Sequence, residues 1–501
     1  MLCKIGILAL LALFCLAESA GIRQRRDSSA DQQYDTIVVG LGAAGTAAFS
    51  KLARAGRRVL GLEAADRVGG RVKTIPFGDG IVEYGAEWIH GRNNSPSYEL
   101  AVANQVPVKN QEVTLQVFWS DGAEMNASLT HVVTELMYMC TKDAPDDVPP
   151  QPAGDYFKAQ YCLEMIKSKK PELLQDHAFM EALFRSMDLN IGSLEGVSSW
   201  NEVGTTSDYE DLDEYLYTSW HKYGYKTLFE ILLNEYNNGQ GLPKTAEIKL
   251  NKEVVKIVWP SEADSNVVVK CKDGSEYTAK NVIVTVSLGV MKERHTTLFE
   301  PALPEEKVAA INNIEMGIIG KVILAFDKMW LPADTTVVPF FWKAEDLAKV
   351  PADEEWVTRI GSASRSMGAD NVWVLWTSGN TTKHVETLSD ETIKKHVVSL
   401  LRRFFGSAVP EPSQLIKTNW FTNPLTRGTY SFDGVSFAAH PTSRHVLGAP
   451  LTDTSGAPRL LFAGEATNVN HFSTVHGAVE TGIREANRLL GDDSNSIEPK
   501  H

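Results

Sequence analysis

Residues 34–45, YDTIVVGLGAAG, decide the fold. Residues 36–39 are a short β-branched and apolar run suited to a buried parallel strand. They lead directly into Gly40, Gly42 and Gly45 in the spacing G-x-G-x-x-G. Residues 46–52 continue with small side chains fit for a close-packed helix. In such a unit the first glycine permits the turn, the second lets the backbone approach a pyrophosphate, and the third lets helix and sheet press together. The N-terminal N–H groups of the helix then face the phosphates. Residues 58–62 read as a second strand ending at Glu63, about 20 residues after the glycines, where an acid accepts the ribose hydroxyls of a dinucleotide. The glycine spacing alone is a weak signal. The strand before it and the acid after it separate it from an ordinary turn.

Working outward, a chain of 501 residues with 43% hydrophobic composition can bury large cores in two domains. Its start has another character. Lys4 precedes an apolar run over 5–17, with small residues at Ala17, Ser19 and Ala20. The run is shorter than the roughly 20 residues a membrane span needs, so residues 1–20 are expected to be a cleaved secretory signal. Cys15/Ala17 and Ala17/Ser19 both supply the small pair that cleavage requires. Residues 23–31 form a polar leader, no later segment is long and apolar enough to span a bilayer, and residues 498–501 match neither a peroxisomal nor an ER-retention signal. Loss of Cys3 and Cys15 with the signal leaves Cys140, Cys162 and Cys271, too few for a disulfide scaffold or a zinc site. At most Cys140 pairs with Cys162 and leaves Cys271 free. Asn93, Asn126 and Asn380 open sequons that a secretory route could glycosylate. A net charge of −14 argues against a nucleic-acid partner and favours the approach of a cation, although solubility alone also accounts for an acidic surface.

The second strand is followed by Arg67-Val-Gly-Gly-Arg71 and then by Glu83-Tyr-Gly-Ala-Glu-Trp-Ile-His-Gly91. Paired glycines between arginines bring backbone and guanidinium groups to a diphosphate. This series resembles the FAD-containing flavin amine oxidase family, which includes monoamine oxidases, L-amino-acid oxidases and polyamine oxidases. The heptad from Gly85 to Gly91 is close to the G-A-x-W-I-H-G form of the animal spermine and N1-acetylpolyamine oxidases. With the glycine loop, a strand lysine and a later F-A-G-E, the resemblance spans nearly the whole mature length.

The resemblance implies a mixed α/β fold with a Rossmann-like, glutathione-reductase-like FAD-binding domain over 32–94, 221–300 and 420–490. A discontinuous substrate domain of mixed sheet and helices would take 95–220 and 301–419, with a tail at 491–501. The residues read compatibly. Residues 129–139, 156–167 and 171–187 have helical spacing, 143–152 is a Pro/Asp loop, and 205–214 is a dense acidic patch, by its composition a solvated loop or the wall of a cation-attracting funnel. Residues 223–233 begin a helix. Residues 248–259, 266–272 and 275–279 alternate like a meander with Asp273-Gly274 at a hairpin, and 281–287 is a buried strand. Lys321 heads an alternating strand and 371–376 is another. Ser389 caps a helix over 390–405 whose Ile393, Val397, Leu400, Leu401 and Phe404 form one stripe, stopped by Gly406.

By resemblance, Gly40, Gly42, Gly45, Glu63, Arg71, Gly85, Ala86 and Trp88 belong to the cofactor site, and Val254 covers the adenine. Trp420 packs on the flavin, and Glu465 bonds its ribityl or diphosphate region. Ser473, Thr474 and Val475 lie where a loop enters a helix whose N-terminal N–H groups would hold the flavin N1/O2 edge. Lys321 would reach flavin N5 through water, Tyr430 would border the substrate, and His90 would be a polar contact or proton acceptor. Plant-type polyamine oxidases carry an acid at the position of His90 and an aromatic at that of Thr474, which places this chain with the animal type. Lys321, His90, Tyr430 and Thr474 are therefore the expected catalytic set. No cysteine lies in 471–478, so FAD is expected to be non-covalent.

The expected activity is that of a secreted polyamine oxidase, converting spermine, spermidine or their N-acetyl forms with O2 into an aminoaldehyde, a shorter amine and H2O2. The amine at the flavin must be neutral while distant ammonium groups sit on acids, for which Glu195, Ser198, Glu210 and Glu87 are candidates by location. Two alternatives stand beside this reading. One is an L-amino-acid oxidase, whose carboxylate-binding arginine would be Arg427; the other is a catalytically silent FAD-binding carrier. His471 and His476, five apart, lack ligand spacing, so no metal is expected.

Overall fold

The computed structural model describes residues 33–139, 148–158, 163, 166–167, 170–263 and 265–492. Residues 1–20, expected to be a secretory signal, and Cys140 and Cys162 lie outside these residues. Five strands run parallel in the order Ala246–Lys249, Val59–Leu62, Tyr34–Val39, Glu276–Val284, Pro458–Phe462. Their side chains alternate between two cores. Val38, Ile283 and Leu461 face the helices Ala43–Arg54 and Val475–Leu490, while Ile37, Val39, Val282, Val284 and Leu460 face the opposite side. The two helices meet at near-backbone distance, since a Cβ on Gly482 would lie 2.1 Å from the carbonyl oxygen of Ala44.

The strand Glu276–Val284 forks. Its first half pairs antiparallel with Val267–Cys271, and its last three residues pair parallel with Pro458–Phe462. The two strands expected over 275–279 and 281–287 are thus one. Conversely, the strand expected over 248–259 is two: Ala246–Lys249 at the parallel edge and Val254–Val258 in the meander. Asn251 turns the chain between them with φ 56°, a conformation Asn tolerates better than most residues, and its N–H donates to Ala65 O at 2.9 Å. The hairpin at Asp273-Gly274 has Gly274 at φ 83°, with Asp273 Oδ1 accepting from Ser275 N at 3.0 Å.

A second sheet has the order Gln414–Lys417, Ile319–Ala325, Val372–Ser378, Ser362–Arg365, Val337–Phe341, Phe118–Trp119. Val322 and Leu324 pack against the stripe of the helix Asp390–Phe405, which Ser389 caps by accepting from Thr392 N at 3.1 Å. Ile323 and Ala325 point the other way, towards Val82 of the hairpin Thr74–Phe77/Gly80–Glu83. The period of two puts Lys321 on that same face. The helix expected over 171–187 starts later, as His177–Glu195, because the Asp176 carboxylate accepts from Phe179 N at 3.0 Å and caps it there. Among the described residues no helix is long and apolar enough to cross a membrane.

Candidate active site

The glycine loop is closed tightly on itself and left open outward. A Cβ on Gly45 would stand 2.0 Å from Gly40 O, and Gly40 itself has φ 90°. A Cβ on Gly42 would meet nothing nearer than the Cα of Gly70 at 4.0 Å, and one on Gly70 would lie 3.2 Å from Gly42 Cα. The two glycine motifs therefore face each other as bare backbone at the N-terminus of the helix Ala43–Arg54. Glu63 ties the loop to the second strand, its carboxylate accepting from Leu41 N at 2.7 Å and Ala65 N at 2.8 Å. Burial pushes the Glu63 carboxyl up, against the pull of these N–H groups. Lys252 N donates to Glu63 O at 2.8 Å, which brings the start of the strand carrying Val254 to the same place.

Beyond the glycines, a cavity opens at the carboxyl ends of the strands Glu276–Val284 and Pro458–Phe462. Arg71, Val286, Ser287, Gly464, Glu465 and Thr467 are among its lining residues. Arg71 Nη1 lies 3.0 Å from Glu465 Oε1, and Glu465 Oε2 accepts from Ser431 Oγ at 2.7 Å and Ser473 N at 3.0 Å. Burial alone would raise the Glu465 carboxyl; Arg71, the Ser431 hydroxyl and Arg444 overcome it and hold the group below the usual range. A bare-glycine cleft at a helix N-terminus, a buried acid at the next strand's end and an arginine-lined cavity at the strand ends fit an anionic dinucleotide.

The segment 83–91 is tied to the backbone of Arg71, which lines this cavity. A Cβ on Gly85 would sit 1.8 Å from Arg71 O, and Ala86 N donates to the same oxygen at 3.2 Å. Trp420 is buried edge-on against Tyr84, ring centroids 5.3 Å apart, with Nε1 donating to Tyr84 O at 3.3 Å. Trp88 meets Tyr217 in a T-shaped contact at 5.8 Å.

Lys321 reaches this segment from the second sheet. Its Nζ donates to Glu83 O, Gly85 O and Glu87 Oε2, each at 2.9 Å, and lies 4.6 Å from the centroid of the Trp376 ring. Glu87 is thereby removed from the acids expected to hold substrate, because its carboxylate is buried and committed to Lys321.

His90, two residues beyond Trp88, donates a ring N–H to the Leu216 carbonyl; burial dominates and lowers its pKa to about 4, so the ring is neutral at pH 7. His476 is buried beside it, its Nε2 without a hydrogen-bond partner among the described residues. Burial, then the neighbouring His90 and His471, take its pKa to about 3. His471 behaves oppositely. Its Nδ1 donates to Glu480 Oε2 at 2.8 Å and its pKa is raised by that acid. Glu480, one helical turn after His476, brings ligand-type atoms of His471, His476 and Glu480 within 4.8 Å of one another, a grouping hidden when only histidine spacing is considered.

Thr474 is reassigned. Its hydroxyl donates to His471 O at 2.8 Å and accepts from Gly477 N at 3.0 Å, capping the helix Val475–Leu490 and leaving no proton for chemistry. Ser473 turns the chain into that cap with φ 65°, and Val475 is the first helical residue. Tyr430 donates its hydroxyl to Leu194 O at 2.7 Å; burial raises its pKa, with Glu195 and Glu465 adding to the effect, so Glu195 lies within its electrostatic reach. Ser198 is also reassigned, since its hydroxyl accepts from Asn380 N at 2.9 Å at the start of a helix. Glu210 accepts from Asn470 Nδ2 at 2.9 Å, which lays the acidic stretch 205–214 on the loop that carries His471. Arg427 is turned away into a pair with Glu293, Nη2 to Oε1 at 2.9 Å.

Residues 43–490 match the family described as flavin containing amine oxidoreductase. The chain belongs to this family. The oxidoreductase is 30% identical over 496 residues to the peroxisomal N(1)-acetyl-spermine/spermidine oxidase of Bos taurus, covering 91% of this chain and 94% of that one. It is 28% identical to the protein anon-37Cs of Drosophila melanogaster, covering 95% and 94%. Among solved structures, a putrescine oxidase double mutant shares the fold with a TM-score of 0.62 at 17% identity, over 92% of this chain and 99% of that one.

In the oxidoreductase, then, a neutral histidine and a paired lysine stand on the same short segment, 83–91. Sequence reading missed three groups that build the site. Arg444, buried, donates to Asp433 Oδ1 at 2.7 Å and to Ser431 Oγ at 2.8 Å, stacks on Phe472 and so fixes the serine that holds Glu465. Glu386 accepts from Phe421 N at 3.0 Å and Thr422 N at 2.7 Å, anchoring the turn after Trp420. Glu480 is the third; its place at i+4 from His476 on a helix was the available signal.

Proposed function

We propose that the chain is a secreted FAD-dependent polyamine oxidase that holds FAD without a covalent bond and acts on spermine, spermidine or their N-acetyl forms. The observation that carries this reading is the segment 83–91, pinned at one end by Lys321 and presenting at the other a histidine that burial keeps uncharged. Bound flavin supplies the redox chemistry, accepting a hydride equivalent from the carbon next to the amine nitrogen and yielding the electrons to O2. The protein's own groups do the rest. His90, unprotonated at pH 7, accepts hydrogen bonds or a proton from an amine that must be neutral to react. Trp420 and Tyr430 wall the site, and the fixed charge of Lys321 sits behind the wall.

Acids lie outward from this point. Glu195 beside Tyr430, and Asp208, Glu210 and Asp211 in the stretch against the His471 loop, form a negative approach for the remaining ammonium groups of a polycation. The carboxyls of Asp208 and Asp211 are both raised by burial, with a further upward push from Asp433 and Asp213 respectively. Asn93, Asn126 and Asn380 are all exposed, as glycan acceptors must be. The pairing of Arg427 with Glu293 disfavours an amino-acid substrate.

Peroxide release by purified holoprotein with spermine, spermidine, N1-acetylspermine, putrescine and phenylalanine tests the reading. Turnover of the first three is expected. Turnover of phenylalanine alone, or FAD absorbance that no amine bleaches, refutes it.

A further inference from the structure

Lys321 and Glu87 are each buried, 5% and 7% exposed, and their charged atoms are 2.9 Å apart. The lysine's remaining donors go to two carbonyl oxygens, so all three N–H groups of the ammonium are taken by protein. The strands on either side of Lys321 present uncharged groups, the ring of Trp376 and the hydroxyl of Thr418, which accepts from Lys321 N at 2.9 Å. A second carboxylate within electrostatic reach of Lys321, Glu83, is held by Tyr225 N at 2.8 Å and the Thr74 hydroxyl at 2.9 Å. Glu87 is thus the counter-charge in direct contact with the ammonium.

We propose that Glu87 is a positioning residue that locks Lys321 as a charged, immobile ammonium against the 83–91 segment, so that Lys321 serves amine oxidation as a fixed positive charge and not as a proton acceptor. The ion pair stands on geometry alone; its part in oxidation rests on the polyamine oxidase reading. Glu87 occupies the variable position of the G-A-x-W-I-H-G heptad, where neither spacing nor residue type assigns it a task. Removing one partner of a buried pair leaves the other charge uncompensated, and a lysine can relieve that by giving up its proton.

The test compares holoprotein carrying Glu87→Gln, Lys321→Met, both changes, or neither. With Gln at 87 the buried ammonium of Lys321 has lost its counter-charge, which the folded variant relieves by releasing a proton that the unfolded chain keeps. The Tm deficit of Glu87→Gln is therefore expected to shrink from pH 7 to pH 10, and to shrink at pH 7 when Lys321→Met is added. In stopped flow, anaerobic bleaching of FAD by spermine is expected to slow about tenfold at pH 7 and to gain a pH dependence that wild type and the double variant lack. Glu87→Asp, which keeps the charge, should show smaller shifts of the same sign and covers the case in which the Gln variant does not fold. A Tm deficit equal at both pH values and simply additive with Lys321→Met overturns the proposal. Wild-type FAD that no polyamine bleaches refutes the activity, while the Tm cycle still decides the pair.

Discussion

Arg71 and Glu465, 394 residues apart in the chain, meet at 3.0 Å and both line the cavity at the strand ends. Because Arg71, Ser431 and Ser473 all converge on one carboxylate, its charge organises three separate segments.

Glu465→Gln should weaken FAD binding tenfold or more, about 1.4 kcal/mol, measured by recovery of flavin fluorescence on dilution. The pH dependence has a definite sign. The folded pKa of Glu465 lies below its unfolded value, so its contribution to stability is complete above the unfolded pKa and is lost as pH falls through the folded one. Wild-type Tm should therefore drop below about pH 4 more steeply than that of the Gln variant.

Two glycine substitutions should separate folding from cofactor binding. Gly45→Ala forces a Cβ to 2.0 Å from Gly40 O and is expected to prevent the loop from forming. Gly42→Ala meets only a Cα at 4.0 Å, so the protein should fold with nearly unchanged circular dichroism yet purify colourless, its methyl group filling the diphosphate cleft.

Asp433→Asn should destabilise the protein by roughly 3–5 kcal/mol in urea unfolding, because it strands the guanidinium of Arg444 in a site where both side chains are at most 3% exposed. Adding Arg444→Met should recover part of that loss.

His90 and His476 are both held neutral by burial, with pKa near 4 and 3. A folded value below the unfolded one means that the unfolded chain takes up protons first, so stability is lost as pH falls below about 6.5. His90→Gln should flatten the fall in Tm between pH 6.5 and 4. It should also slow FAD bleaching by spermine at pH 7, where the wild-type rate is expected to show no titration of His90.

Local signals were legible and distant pairings were not. The glycine loop, the Asp273-Gly274 hairpin and the stripe of the helix Asp390–Phe405 each depend on neighbours within a few residues, and turn chemistry and apolar period specify them. The splitting of residues 248–259 went unseen because the break is made by Asn251 adopting a left-handed backbone and bonding to Ala65, a contact nearly two hundred positions away. Location named Glu87, and the family resemblance Thr474, without saying where either side chain points. Glu87 was aimed at substrate on location alone and turns inward to a lysine on another sheet. Thr474 does what threonine before a helix commonly does.

The packing of Val475–Leu490 onto Ala43–Arg54 sets the order in which the polypeptide can mature. Until residues 458–490 leave the ribosome, the strand Glu276–Val284 lacks its outer parallel neighbour, and the glycine-loop helix keeps an apolar flank wet. A chain cut anywhere before residue 475 should accordingly fail to accumulate as folded protein, because the helix Ala43–Arg54 then lacks the partner that covers it.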